Sequence, residues 1–501
     1  MINGKGRVLK PFSEHSVTLE VSLTVHGSLV GSMFGLLKSL LDRRGSPGDL
    51  ITFVHSCLEG EEIPFDLTCL ASHREVPIIS SAMRVSRIKK MLEVPGLVHV
   101  TKQNVYFQPR ATFGSRKVKR FPLTSFGQPN LVSVKELKYK LIDTSVELEF
   151  GNGKILFLQF ASSKDRETFT KALTLNNCIS SMNSSLPPLQ RVTELWRTWK
   201  VSNFDYLMYL NAIAGRSIND IGQYPILPWT VSDMSSVTLD LTNPSNFRSL
   251  GEPIASVNEA KLAQAKERAL QMPVNERFLF GSFYSNPAFV LYFLLRRYPE
   301  CHLRLHGGHF DHTARLFTSL KGAWEAVAES GSATMELIPE FYSDFDNAAG
   351  WLMNPPGMTD IPGVKLPEWA TSPKDFVVKM RCALESLVIS EKLNEWIDLV
   401  FGAKSRGKQI CFDHNNLFHP VCYLTDVTGD LAQYCRENDL RKEVVLLQSQ
   451  EFGHVPLQLF TSELHPKRDL TRLRPEWSLE SFYLNGGGRE HWRTVITQAE
   501  A

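Results

Sequence analysis

The residues in this 501-residue chain that come nearest to a catalytic pattern are His306, His309 and His312, with Asp311 beside the last. Imidazoles and a carboxylate this close together suggest metal-dependent hydrolysis, in which a bound ion generates hydroxide at neutral pH. The zinc version of that chemistry uses the run HxHxDH, which needs a histidine two positions before His309, and Gly307 stands there. The run is therefore expected to be a turn entering a helix over 312–324, with no metal and no cofactor. Glu340, Asp346 and Asp398 are carboxylates that could pair for hydrolysis, but any large chain offers such pairs. Asp398 sits inside the apolar run WIDLVFG (396–402), where a buried hydrogen-bond acceptor is the better account. No GxSxG elbow, P-loop, GxGxxG, HExxH or kinase signature occurs. No catalytic residue is assigned and no enzyme is expected; a lipid phosphoesterase is the competing expectation.

Binding chemistry is better represented. Arg110, Arg116, Lys117, Lys119 and Arg120 cluster in sequence, and Lys135, Lys138 and Lys140 follow. Two readings stand for them: a weak site for anionic lipid, to which each cation contributes about 1 kcal/mol near a charged leaflet, or a solvated surface that meets a protein partner. A second group, Arg216, Asn219, Asp220, Gln223 and Tyr224, opens a segment in which Pro225, Pro228, Pro244 and Pro253 forbid a long helix. The same segment is rich in apolar residues (Ile221, Ile226, Leu227, Trp229, Leu239, Leu241, Phe247), so it is expected to be buried without regular structure. Its backbone groups then need side-chain partners, for which Asn203, Arg216, Asn219, Asp220, Gln223, Asp240 and Arg248 are the candidates. Most should hold backbone, leaving Arg216 to Tyr224 as candidates for touching a partner.

The elements that must position these groups are legible in outline. Alternating runs at 96–100, 105–107, 146–150 and 155–160 read as strands, closed by a helix with Ser163 as its cap and Phe169 and Leu173 four apart. Trp196 and Trp199 are expected on one helix face. The next helix starts at Ser202, with Asp205 completing a capping box, and stops at Gly215. A helix begins at Ser372-Pro373, and another buries Leu393, Trp396, Ile397 and Val400 before ending at Gly402. Ala288 to Leu295 is the longest apolar run, far short of the roughly 20 residues a membrane span needs. Hydrophobic content of 43%, charged content of 22% and a net charge of +2 describe a soluble globular chain with no nucleic-acid partner. Eight scattered cysteines without a CxxC pair suit a reducing compartment, and the first residues carry no secretory signal core.

The stretch from Trp196 to Trp229 resembles the start of a BEACH domain. Similar words follow in family order: FGSFYS (280–285), GGHFDH (307–312), LIPEFY (337–342), LPEWA (366–370), WIDLVFG (396–402) and NLFHP (416–420). Residues 343–365 fit that pattern poorly, and no propeller repeat is present. Trp196, Trp199, Asn203, Trp229, Asp240, Arg248, Asp311, Glu340 and Trp396 form the structural signature. The strands and helix before it are similar to a pleckstrin-homology-like barrel, and the N-terminal strand and helix to the end of a GRAM-like domain.

The resemblance implies an α+β multidomain chain. Its expected parts are a partial GRAM-like segment (1–45), a helical linker (46–83), a pleckstrin-homology-like barrel with a C-terminal helix (84–176) and a linker (177–189). A mostly α BEACH domain with long irregular core segments (190–470) and a tail (471–501) complete it. It also implies a cytoplasmic, peripherally membrane-associated scaffold in trafficking or receptor signalling. Its expected partners are membrane-receptor tails or trafficking factors, with weak anionic-lipid contact.

Overall fold

The computed structural model describes residues 64–472, apart from Met91, 111–117, 126–127, 152–153, 176–185, 344–350, 426–429 and a few shorter gaps, together with Arg493, Val495, Ile496 and Ala499. The expected GRAM-like segment, Arg116, Lys117, Asp346 and most of the linker and tail lie outside the described residues. Of the expected helical linker over 46–83, residues 46–63 lie outside the described residues, and the described part holds one 3-10 turn, Leu67–Cys69, among turns and bends before β1.

Antiparallel pairing builds a seven-stranded sheet among the described residues. Its strands are β1 (Met83–Lys89), β2 (Leu92–Val100), β3 (Asn104–Pro109), β4 (Lys119–Pro122), β7 (Leu131–Tyr139), β8 (Ile142–Phe150) and β9 (Ile155–Phe160). The two-residue strands β5 (Thr124–Ser125) and β6 (Gln128–Pro129) pair separately. The ladder order is β4-β3-β2-β1-β9-β8-β7, and no ladder joins β4 to β7 among the described residues, so the sheet is open where a closed barrel was expected. One face is apolar: Val98, Val105, Phe107, Val146, Leu148, Phe150, Leu156 and Leu158 are buried together. Helix α1 (Ser163–Leu175) lays Phe169 and Leu173 on this core as their spacing predicts. The cap is Ser162 instead of Ser163, its Oγ accepting from the Asp165 N–H at 3.1 Å.

Two hairpins of the sheet, β1–β2 and β7–β8, use left-handed residues. Lys90 has φ 61° in the β1–β2 turn, and Lys140 and Leu141 have φ 52° and 63° in the two-residue β7–β8 turn. That turn geometry matches strand twist but strains side chains larger than Gly. The cost is offset by what the tips bury, as described below.

The rest of the described chain is mainly helical. Helix α2 (Leu189–Arg197) carries Trp196 but ends before Trp199, whose φ of 66° turns the chain. The two indoles still share a partner, because the Arg468 guanidinium lies 5.2 Å from the Trp196 ring and 3.8 Å from that of Trp199. Helix α3 (Asn203–Ile213) is central, with residues 203–211 all buried. Ser202 caps it as expected, and the Glu385 carboxylate accepts from the Asn203 and Phe204 N–H groups at 2.8 and 3.0 Å. A carboxylate at a helix start satisfies orphan donors and opposes the dipole.

Around α3 lie α4 (Glu259–Gln271), α5 (Pro287–Phe293), α6 (Pro299–Leu305) and α7 (Leu320–Ala328). The remaining helices are α8 (Pro373–Leu384), α9 (Leu387–Val400), α10 (Lys408–Asp413), α11 (Asp430–Glu437) and α12 (Lys442–Phe452). α7 starts at Leu320, capped by Ser319, eight residues later than the helix expected from His312.

Residues 217–258 form turns and short 3-10 segments held largely by side chains. Asn211 bonds both the N–H and the C=O of Ile226 at 2.9 Å, as a strand neighbour would. Arg248 donates to the Trp229 and Glu252 carbonyls and to Glu336, and Glu336 also accepts from the Trp229 N–H and the Trp396 indole. Residues 235–245 differ from expectation. They run over the surface, and Asp240 is exposed, closing a turn on the Thr242 N–H.

Candidate functional site

The histidine run does not form a metal site. His306, His309 and His312 are exposed. His306 stacks on the buried His302 at 4.3 Å, Asp311 bonds the His312 N–H at 2.7 Å, and no group of three metal-ligating residues gathers anywhere among the described residues. A serine–histidine pair does occur: Ser449 Oγ and His454 Nε2 are 2.8 Å apart. Both are buried, and the Ser449 hydroxyl donates to the Val421 carbonyl at 2.9 Å, so its proton is committed to backbone. Asp398 accepts from the His465 N–H at 2.8 Å, and burial raises its pKa to about 6.

The richest polar constellation joins the sheet to the helical unit, and the second sequence group belongs to it. Arg216 is buried and donates to the Tyr224 and His454 carbonyls at 2.5 Å each, with its guanidinium 5.3 Å from the Phe283 ring. Burial lowers its pKa to about 9, which leaves it charged at neutral pH. Asp220 accepts from the Gly222 N–H at 2.8 Å, and burial raises its pKa to about 6. Tyr224 donates to Glu340 at 2.6 Å. Asn219 donates to Glu147 of β8 at 2.9 Å, and Gln223 donates to the Lys138 carbonyl of β7 at 3.0 Å. Three of the five (Arg216, Asp220 and Tyr224) are buried and the other two reach across to the sheet, so each has at least one polar atom engaged inside the molecule.

The sheet supplies the other half of this contact, which sequence reasoning missed. Glu147 is 2% exposed and receives Ser217 at 2.5 Å, Asn219 at 2.9 Å and Lys135 at 3.4 Å. Lys90, at one hairpin tip, donates to the Ile218 carbonyl and lies 5.8 and 5.1 Å from the Tyr224 and Tyr298 rings. Leu141, at the other tip, is buried with Val421, Leu424, Leu431 and Val445. The available signal was the alternation Val146-Glu147-Leu148-Glu149-Phe150, whose polar face faces the helical unit instead of water.

Beside this contact an opening of about 240 Å³ remains, lined by Ser133, Lys135, Leu137, Leu186, Ala212 and Ile213 among others. Lys135, Lys138 and Lys140 are all engaged, with Glu147, the Thr425 carbonyl and Glu93 respectively. The first basic group is elsewhere. Arg110 follows β3, while Lys119 and Arg120 are exposed on β4, the opposite edge of the ladder from β7. The Lys119 pKa is lowered by burial and then by the cations of Arg87 and Lys89.

Of the signature residues, Trp196, Trp229 and Trp396 are fully buried, and Asn203 accepts from the Trp196 indole at 2.8 Å. Among the described residues no helix is long and apolar enough to cross a membrane, and the six described cysteines are free thiols.

Comparison with known proteins agrees with this architecture. The Beige/BEACH domain profile matches residues 194–468, more than half of the chain. The BEACH domain-containing protein lvsD of Dictyostelium discoideum is 36% identical over 337 residues, 64% of this chain. Putative neurobeachin homologs of Caenorhabditis elegans and Caenorhabditis briggsae are 33% and 32% identical over 75% of it. The matched parts span only 11% of the first relative's length and 16% of the other two. The extent of these matches establishes that the chain belongs to the Beige/BEACH-domain family.

Proposed function

We propose that the protein is a non-catalytic cytoplasmic scaffold, peripherally membrane-associated, that docks protein partners beside the contact between its sheet and its BEACH unit. The observation that carries this reading is the opening of about 240 Å³ between β7 and α3, next to two units held in fixed register by Glu147, Lys90 and Leu141. A preformed concave surface on rigid elements limits the ordering entropy of binding. Arg216, Asn219, Asp220, Gln223 and Tyr224 form the wall behind this surface and keep its geometry. In this reading residues 84–176 are a pleckstrin-homology-like unit with its C-terminal helix, and 190–470 the BEACH domain. The words Val94-Pro95-Gly96 and Asn104 to Pro109 are similar to those of the domain that precedes BEACH in the factor associated with neutral sphingomyelinase activation. That likeness supports partners among membrane-receptor tails, trafficking factors or sphingolipid signalling proteins.

Proximity labelling in cells tests the proposal. Ala212→Trp fills the opening and should remove a reproducible subset of labelled partners while the protein stays folded. An unchanged set would sink the docking reading, and sphingomyelin hydrolysis by purified protein would replace it with the phosphoesterase.

A second reading, anionic-lipid binding, is favoured by one observation: Lys119 and Arg120 are both exposed on β4, at the edge of the ladder. Like charges gathered on an exposed edge attract anionic headgroups. Flotation with phosphoinositide-containing vesicles that is lost on Lys119→Glu with Arg120→Glu supports lipid contact, and flotation indifferent to both changes removes it.

A further inference from the structure

The stretch before β1 lies as a strap across the reverse face of β2 and β3. Val98, Val100, Val105 and Phe107 belong to the apolar core of the sheet, so strand alternation sets His99, Asn104, Tyr106 and Gln108 on the other face. Residues 64–75 cover them. Phe65 stacks on the His99 ring at 4.8 Å and meets Tyr106 edge-on at 6.1 Å. Gln108 clamps the backbone beside it, accepting from the Asp66 N–H at 2.8 Å and donating to the Pro64 carbonyl at 3.1 Å. Tyr106 accepts from the Ala71 N–H at 2.9 Å, and Glu75 accepts from Thr101, Asn104 and Tyr106 at 2.5, 3.0 and 2.7 Å. Beyond Glu75 the chain joins the sheet itself. Pro77 bridges Thr101, the Lys102 N–H donates to the Val76 carbonyl and the Ile78 N–H to that of Val100, both at 2.9 Å, and Ile78 and Ile79 pack on the core.

Two features make this closure conditional. Asp66 to Cys69 and Ala71 to Arg74 are exposed, so the grip rests on Phe65 and on hydrogen bonds, and local opening is cheap. His99 is 4% exposed, and neither of its ring nitrogens has a hydrogen-bond partner among the described residues. A neutral imidazole tolerates that seat, whereas an imidazolium has two donors and a charge to satisfy. Glu75 of the strap and Tyr106 of β3 face it; Arg120 of β4 stands opposite Tyr106, and Arg84 of β1 lies on the same face opposite Leu97. Asp66, His73 and Arg74 of the strap point to solvent. We propose that residues 64–75 are a pH-sensitive strap, closed over β2 and β3 while His99 is neutral and released, with Pro77 to Ile79 as the fixed end, when His99 takes up a proton. Burial lowers the His99 pKa from 6.5, opposed by the Glu75 charge. Closure is therefore fully stabilised above pH 6.5 and weakens as pH falls below it. Glu75 acts in the same sense at lower pH: burial raises its pKa, but the hydrogen bonds from Thr101, Tyr106 and Asn104 outweigh this and hold it below 4.5. The strap lies on β3 and β2, toward the end of the ladder away from β7, so it is independent of the docking surface.

Hydrogen exchange of the full chain, resolved to single amides and corrected for the intrinsic pH dependence of exchange, reads the strap directly. The Asp66 and Ala71 amides report closure, and the Ile78 and Lys102 amides report the fixed end. From pH 7.5 to 5.5 the protection of Asp66 and Ala71 should fall roughly three- to tenfold, the upper bound being one decade per pH unit below 6.5, while Ile78 and Lys102 keep theirs. His99→Phe retains a stacked ring that cannot titrate and should hold protection constant over this range, as should the neutral His99→Gln. Glu75→Gln should lower protection at both pH values and leave a fall at least as large, because Glu75 opposes the lowering of the His99 pKa. Constant protection in the wild type, or an equal fall in a folded His99 variant, would overturn the proposal. So would a parallel fall at Ile78 and Lys102, which marks loss of the whole sheet instead of release of the strap. The wild-type comparison of the two pairs of amides decides the matter even where a variant fails to fold.

Discussion

Single buried charges decide much of this molecule. Glu336 and Arg248 form an ion pair at 2.7 Å with both side chains almost fully buried, and each also satisfies backbone or indole groups. Such a pair adds little net stability over an apolar one but is costly to break, because the remaining charge is stranded. His454 makes a pH-dependent contribution that can be measured. Burial, followed by the Arg216 cation, lowers its pKa from 6.5 to about 4; Arg406 adds to this and Asp430 opposes it. A depressed folded-state pKa supplies stability that is fully present above 6.5 and is lost as pH falls toward 4. Between pH 7 and pH 5 that loss is about 2 kcal/mol. Asp220 and Asp398, both raised to about 6, titrate in the opposite sense over the same window. The diagnostic quantity is thus the difference between proteins: His454→Gln should lose about 2 kcal/mol less than wild type between pH 7 and 5 in urea denaturation. Equal losses would place the proton uptake elsewhere.

At the scale of elements, the hairpin tips are the informative units. Leu141 combines a left-handed backbone with burial against Val421, Leu424 and Leu431, so strain and packing act in opposite directions at one residue. Leu141→Ala removes the packing and keeps the strain, with an expected cost of about 2–5 kcal/mol. Leu141→Gly loses the same packing but recovers about 1 kcal/mol of strain, so the smaller residue should be the less damaging. Urea midpoints of the two variants test this ordering, and the opposite order would mean that the tip is not strained. Trp199 teaches a related lesson. Three-residue spacing from Trp196 predicted a shared helix face, yet the helix ends at Arg197, and the indoles meet around Arg468 from far along the chain. Local periodicity cannot show that a tertiary partner will draw a residue out of a helix.

At the scale of the whole molecule, the contact between sheet and helical unit should couple their unfolding. Calorimetry of the wild-type chain should show a single dominant transition. Glu147→Lys strands Ser217 and Asn219, sets a second cation beside Lys135, and should split that transition in two. A single transition in the variant would show that Lys90 and Leu141 suffice.

The strand runs at 96–100, 105–107, 146–150 and 155–160, which lie inside β2, β3, β8 and β9, the capped helix from Ser202 and the buried irregular run around Trp229 were all legible from period, caps and prolines, because these are local consequences of backbone sterics and apolar spacing. Ordered words from Trp196 to Pro420 pointed to the family for the same reason, since each word encodes its own stretch of chain. What could not be read was which polar face meets water. Glu147 and Glu149 alternate like solvent-facing residues, and only the fold brings the helical unit and Arg493 over them. Arg216 to Tyr224 were likewise candidates for an exposed surface until the same contact buried or engaged them. Polarity in a sequence states that a group needs a partner, but whether that partner is water, another segment of the chain or a second protein depends on which surfaces the folded chain brings together.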